Sequence, residues 1–139
     1  MRKKVMGRKL GRNTNSRKAL FRGLARSLFE QGGIITTEAK AKAARSQIDK
    51  LITLAKKDTL VSRRRVLAKL GNDTKTLGKI LDTWIPAFEK RNSGFTKLVH
   101  MPARVGDSAK MVKLELSDKP IAPKPKAVEK TAKRVAKKS

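Results

Sequence analysis

Apolar residues recur at helical spacing along four stretches of this chain, then switch to strict alternation. Leu20, Leu24 and Leu28 repeat every four residues, which predicts a helix with a buried stripe. Ser16 can cap it, and Gly32-Gly33 should end it near Gln31. Ile34-Ile35-Thr36 is short and β-branched, so a strand is expected. Thr37 then caps a second helix, with Glu38 favourably placed in its first turn. Its core face is Ala41, Ala44, Ile48, Leu51, Ile52 and Ala55. A third helix opens at Asp58 or Thr59, runs through Leu70 and stops at Gly71. A fourth begins near Asp73 or Thr74, with Leu77, Ile80, Leu81, Trp84, Ile85 and Phe88 inward. Pro86 should break or kink it, since proline lacks the amide proton and its ring strikes the preceding turn.

From Phe95 the period becomes two. Strands are expected over Phe95 to Met101 and about Ala109 to Leu116, where Val112, Leu114 and Leu116 alternate with Lys113 and Glu115. The link Pro102 to Ser108, with Gly106-Asp107, reads as a hairpin loop. The order α-β-α-α-α-β-β predicts a two-layer α+β domain, its helices over a small, mostly antiparallel three-stranded sheet. No apolar run is long enough to span a bilayer, so no membrane partner is expected.

Outside this patterned core the chain carries charge in place of periodicity. Residues 1–15 read as a basic arm, 16–118 as one globular domain, and 119–139 as a disordered basic tail. Gly7, Gly11, Asn13, Thr14 and Asn15 oppose helix in the arm. The first acidic residue is Glu30, preceded by Arg2, Lys3, Lys4, Arg8, Lys9, Arg12, Arg17, Lys18, Arg22 and Arg26. In all, 36 Lys+Arg face 11 Asp+Glu, a net charge of +25. Self-repulsion at that charge implies a standing acidic partner, and an arm of one sign should order only on a polyanion. Lys18, Arg22 and Arg26 share one face of the first helix with no acidic residue interleaved, which favours phosphate contact over an ordinary solvated face. Arg63-Arg64-Arg65 fan around the third helix, and at least one should reach RNA.

Several chemistries are excluded or weak. The chain has no cysteine and no tyrosine, one tryptophan and four phenylalanines. Thiolate metal sites and disulfides are therefore absent, and a binder built on rows of stacked bases is disfavoured. His100, the single histidine, has no carboxylate beside it in sequence and reads as structural or RNA-facing. Asp107 beside Gly106 reads as turn chemistry, and Trp84 as core. No phosphate-binding loop, zinc spacing or nucleophile elbow occurs, so no enzyme, cofactor, metal or small-molecule substrate is expected.

Met1-Arg2, Gly7-Arg8-Lys9-Leu10, Arg12-Asn13, Ser16-Arg17-Lys18-Ala19 and Arg22 resemble the start of the bacterial-type large-subunit ribosomal protein seventeen family. Ile35-Thr36-Thr37, Lys40-Ala41-Lys42, Leu51 to Lys56, Arg63-Arg64, Gly94 to Leu98 and Arg104 to Ala109 continue the likeness in order, to about Asp118. The resemblance implies the same α+β fold and a structural, non-catalytic protein of the large ribosomal subunit, in the cytoplasm. It implies binding to large-subunit rRNA near the peptide tunnel exit, beside neighbouring ribosomal proteins. By position it makes the arm and first-helix bases, Lys40, Lys42, Arg45 and Arg104 rRNA contacts; Asn13, Arg63 and Arg64 are expected to join them. Lys3 and Ser16 stand where many members carry histidine, and Lys110 where proline is usual. The Arg-rich start also has transit-peptide composition, but its match to the family's first residues favours mature chain. A DNA-compacting architectural protein is the rival reading; it would be marked by a recognition helix or an intercalating wedge, and neither is seen. An RNA-processing enzyme would need clustered acid and base groups, which are absent.

Overall fold

The computed structural model describes residues 7–121; the start of the basic arm, residues 1–6, and the tail beyond residue 121 lie outside the described residues. Helix α1 (Thr14–Gln31) leads through strand β1 (Gly33–Thr37) into α2 (Glu38–Ala55), and α3 (Leu60–Leu70) follows. A last helical stretch comprises α4 (Thr74–Lys79), a π-helical turn (Ile80–Trp84) and α5 (Ile85–Ala87). Strands β2 (Thr96–Met101) and β3 (Met111–Leu116) close the domain. The α+β order predicted from periodicity is the one observed.

The helix ends follow their capping residues. Asn13, not Ser16, caps α1: its Oδ1 accepts from the Ser16 amide at 2.8 Å. An N-cap of this kind contributes about 1 kcal/mol, enough to draw Thr14 and Asn15 into the first turn despite their weak propensity. Thr59 caps α3 and Asp73 caps α4 through their side-chain oxygens, whereas Thr37 precedes α2 without a side-chain cap. Gly32 ends α1 at φ 76°, and a Cβ there would lie 3.3 Å from the Trp84 ring. Glycine is thus required twice over, by backbone conformation and by the indole. At Pro86 the α-helical ladder is broken, and the π-helical turn just before it accommodates the proline. The Ile85 amide reaches back to the Ile80 carbonyl, a wider loop that re-routes the ladder ahead of the missing proline donor.

Strand β3 lies between the other two, in the order β1-β3-β2, and both pairings are antiparallel. Leu114 sits opposite Ile34 on one side and Leu98 on the other, so one row of apolar side chains crosses the sheet. Val112, Leu114 and Leu116 are buried on the inner face beneath α2, whose six predicted core residues are all buried. Small residues at Ala41, Ala44 and Ala55 let this helix approach closely. The α1 stripe is rotated from the simple four-residue repeat: Ala25, Leu28 and Phe29 are buried, while Phe21 and Leu24 pack at the edge. Leu20 is half-exposed. Trp84 is core, and its Nε1 donates to the Phe29 carbonyl at 3.0 Å, tying the π-helical turn to α1.

Candidate nucleic-acid interface

Three helices set the basic surface. Arg17, Lys18 and Arg22 on α1, Lys50 on α2 and Lys69 on α3 surround a groove of about 550 Å³ where the helices diverge. Among the described residues, no carboxylate pairs with any of these five. The nearest acidic residue in sequence, Asp49, is engaged elsewhere: Thr96 Oγ1 donates to it at 3.0 Å. Burial pushes the Asp49 carboxyl up, against that hydrogen bond and the charge of Arg45. Arg22 is placed by backbone. It packs on Gly71, where a Cβ would come within 3.3 Å of its Cδ and Nε, and its guanidinium reaches the Ala68 carbonyl at 3.5 Å. Gly71 itself is the α3 C-cap at φ 76°, so one glycine both ends the helix and seats the arginine.

Other predicted contacts have internal partners. Arg26 lies on the α1 face but pairs with Asp73 at 2.6 Å, a counter-ion from another helix that periodicity in α1 could not reveal. Thr76, then Arg26, hold the Asp73 carboxyl below its ordinary range. Arg63 pairs with Asp58 at 2.7 Å, Lys42 with Glu38 at 2.5 Å and Arg104 with Asp107 at 2.6 Å. In each pair the hydrogen bond to the cation, first of all, lowers the carboxyl pKa; for Asp107 the value falls to about 2. The Asn13 carboxamide oxygen is occupied by its cap. Arg8, Lys9 and Arg12 are exposed around a turn closed by the Arg12 amide on the Lys9 carbonyl at 3.1 Å. Arg8 is brought beside Lys42 and Lys110 at the start of α2. Lys40 is half-buried, and Arg45 and Arg64 are exposed. Arg2, Lys3 and Lys4 lie outside the described residues.

Sequence reasoning missed Lys50 and Lys69, because their place in the groove depends on how three helices pack. Lys69 lies four residues beyond Arg65 and so shares its helix face, the one local hint. It also missed the work of Lys56. Its Nζ donates to the carbonyls of Phe88 at 3.1 Å, Glu89 at 3.4 Å and Arg91, where the fourth helical stretch ends. The same ammonium stands 5.7 Å from the centre of the Phe95 ring. This lysine is structural: a cation at a helix C-terminus, bonding the Glu89 and Arg91 carbonyls and sharing that of Phe88 with the Arg91 amide. Among the described residues there is no cluster of acidic and histidine side chains that could hold a metal ion, and no helix is long and apolar enough to cross a membrane.

Comparison with known proteins agrees with the resemblance read from the sequence. The family model described as ribosomal protein L17 matches residues 20–117. The large ribosomal subunit protein bL17 of Ligilactobacillus salivarius (strain UCC118) is 44% identical over 124 residues, covering 80% of this chain and 98% of that protein. That of Solibacter usitatus (strain Ellin6076) is 45% identical over 116 residues, covering 84% of this chain and 77% of its own length. That of Syntrophotalea carbinolica (strain DSM 2380 / NBRC 103641 / GraBd1) is 37% identical, covering 89% and 79% respectively. A fold, a motif order and a family match that coincide over the same core leave one assignment: the chain belongs to the ribosomal protein L17 family.

Proposed function

We propose that this chain, a protein of the large ribosomal subunit, is a structural, non-catalytic component that binds and pins the subunit's rRNA by phosphate neutralisation. The observation that carries the reading is the groove face itself, where five cations converge and none pairs with a carboxylate of the described residues, whereas Arg26, Lys42, Arg63, Lys97 and Arg104 have counter-ions. Cations left without a carboxylate counter-ion in the folded protein hold displaceable counterions, and their release favours binding to a polyanion. The arm adds Arg8, Lys9 and Arg12, all exposed, as further rRNA contacts. Lys40, Arg45 and Arg64 add exposed or half-exposed charge, and Arg63, Lys42 and Arg104 contribute as paired cations that can still face phosphate.

A location near the peptide tunnel exit, among other subunit proteins, follows from the family resemblance. It is supported by the outer face of the sheet, where Ile35, Val99 and Met101 are 57%, 43% and 37% exposed. Apolar groups of that kind on one face suit a protein neighbour.

The test uses the full chain and a transcript of large-subunit rRNA, with duplex DNA of equal length as competitor at about 0.1 M salt. Binding that withstands a large excess of DNA is expected, because folded RNA presents a shape that B-form DNA lacks. DNA that competes equally, nucleotide for nucleotide, would favour the DNA-compacting alternative.

A further inference from the structure

The groove between α1, α2 and α3 is more than a charged face. Its floor is apolar: Phe21, Ile48 and Leu51 line it, with Ala68 on the α3 side. A surface built only to neutralise phosphates has no use for a recess, since phosphates bind on convex ground as well. A recess of about 550 Å³ with apolar walls has the size and lining of a small-ligand site. Its polar groups converge on the rim. Gln47, exposed on α2, is the one uncharged side chain at the mouth with both amide donors and a carbonyl acceptor.

We propose that this groove takes one unpaired nucleotide of the rRNA, extruded from its stack. The base lies on the floor against the Phe21 ring, with its edge toward Gln47. The flanking phosphates are held by Arg17, Lys18 and Arg22 on one side and by Lys50 and Lys69 on the other. The proposal rests on the rRNA reading above and sharpens it from charge to a specific nucleotide conformation. Charge on all three helices suits a chain with a phosphate on each side of the buried group. An apolar floor offsets the loss of stacking when a base leaves its neighbours. Scarcity of aromatics excludes rows of stacked bases but not a single slot, which needs one ring. An acidic amphipathic segment of a neighbouring protein is the competing occupant; it would need its own apolar face and several carboxylates at matching spacing.

The test is chemical probing of a full-length large-subunit rRNA transcript with the full protein. Dimethyl sulfate and a carbodiimide read the base edges, and hydroxyl radicals read the backbone. Ala68→Leu fills the groove from an exposed helix position without entering the core. The wild type should protect at least one otherwise reactive unpaired base, within a patch of protected backbone. With Ala68→Leu that base should regain its reactivity while the backbone protection stays. Phe21→Leu keeps an apolar floor but removes the ring face, and should weaken the base protection on the order of fivefold or more. Circular dichroism on both variants establishes that they are folded. Base protection identical in wild type and both variants overturns the proposal. Backbone protection with no protected base also overturns it, leaves rRNA binding standing, and favours a peptide in the groove. No protection of either kind means that the rRNA reading itself has failed.

Discussion

Arginine and lysine do different jobs at the sheet and in the groove, and Arg26, Lys42 and Arg63, elsewhere on the helices, are paired like the sheet's bases. On the sheet side they are held. Lys97 and Lys113 both reach Glu115, at 3.1 and 2.6 Å, and Arg104 closes its loop on Asp107 at 2.6 Å. On the helical side Arg17, Lys18, Arg22, Lys50 and Lys69 ring a groove and find no carboxylate among the described residues. Composition cannot tell these apart. With so few acids available, where they sit decides which bases are structural and which are left for a partner.

The largest effect should come from the core that joins the two sides. Leu28 is fully buried, so Leu28→Ala should cost about 2–5 kcal/mol in chemical denaturation. The sheet and the groove should then unfold in a single transition. Two separate transitions would mean that the sides are independent units. Leu24 and Leu81 are only partly buried, and their truncation should cost less than that of Leu28.

Lys56→Met comes next. The carbonyls of Phe88, Glu89 and Arg91 would lose their ammonium donor while most of the aliphatic stem remains. A loss of about 1–2 kcal/mol is expected in the same assay, reduced from a buried charged hydrogen bond because water can replace part of it. If Lys56 belonged to the RNA surface, the substitution would leave folding unchanged and weaken rRNA binding.

Acid should separate the paired bases from the groove more subtly. The Asp107 carboxyl titrates at about 2, held there first by Arg104 and then by the Ala109 amide. Glu38 and Glu115 are lowered too, each mainly by hydrogen bonds from lysine. A carboxylate whose folded pKa is depressed contributes stability above its unfolded pKa, and loses it as pH falls through the folded value. These pairs, and those of Asp58 and Asp73 whose carboxyls are also lowered, should therefore weaken as pH drops from about 4 toward 2, whereas the groove lining has no carboxylate to titrate. Carbon-detected NMR of Asp107 should give a midpoint near 2 that moves back toward 3.8 in Arg104→Ala. An unchanged midpoint in the variant would remove Arg104 as the cause.

The smallest effect on folding is expected in the groove. Lys50→Ala and Lys69→Ala remove exposed cations with no partner to strand, so each should shift stability by no more than about 0.5 kcal/mol. A larger loss would mean that these lysines hold the fold.

The fold was largely legible because periodicity is local. The α2 face needed only the spacing of Ala41 through Ala55, and the buried side of β3 only the alternation from Val112 to Leu116. What failed depended on distance. The placement of β3 between the other strands is a long-range register that no single strand encodes. The α1 stripe shifted toward Ala25 and Phe29 because Trp84 and the π-helical turn pack there. The site divides in the same way. Arg17, Lys18 and Arg22 were visible as a basic run on one helix, whereas Lys50 and Lys69 joined them only through tertiary packing. The counter-ion of Arg26 was invisible for the same reason, since Asp73 lies on another helix.

The division itself is best tested by matched charge removal. One variant replaces Lys18, Lys50 and Lys69 by alanine; the other replaces Arg91, Lys97 and Lys113, each paired with a carboxylate. Both lose three positive charges, and affinity for the large-subunit rRNA transcript is measured as a function of salt. With roughly 0.7–0.9 counterions released per phosphate contact, the groove variant should lose about 2–3 units of slope in log K against log salt. The paired-cation variant should lose less than about 1. Equal losses would contradict the account, because binding would then follow net charge wherever it sits.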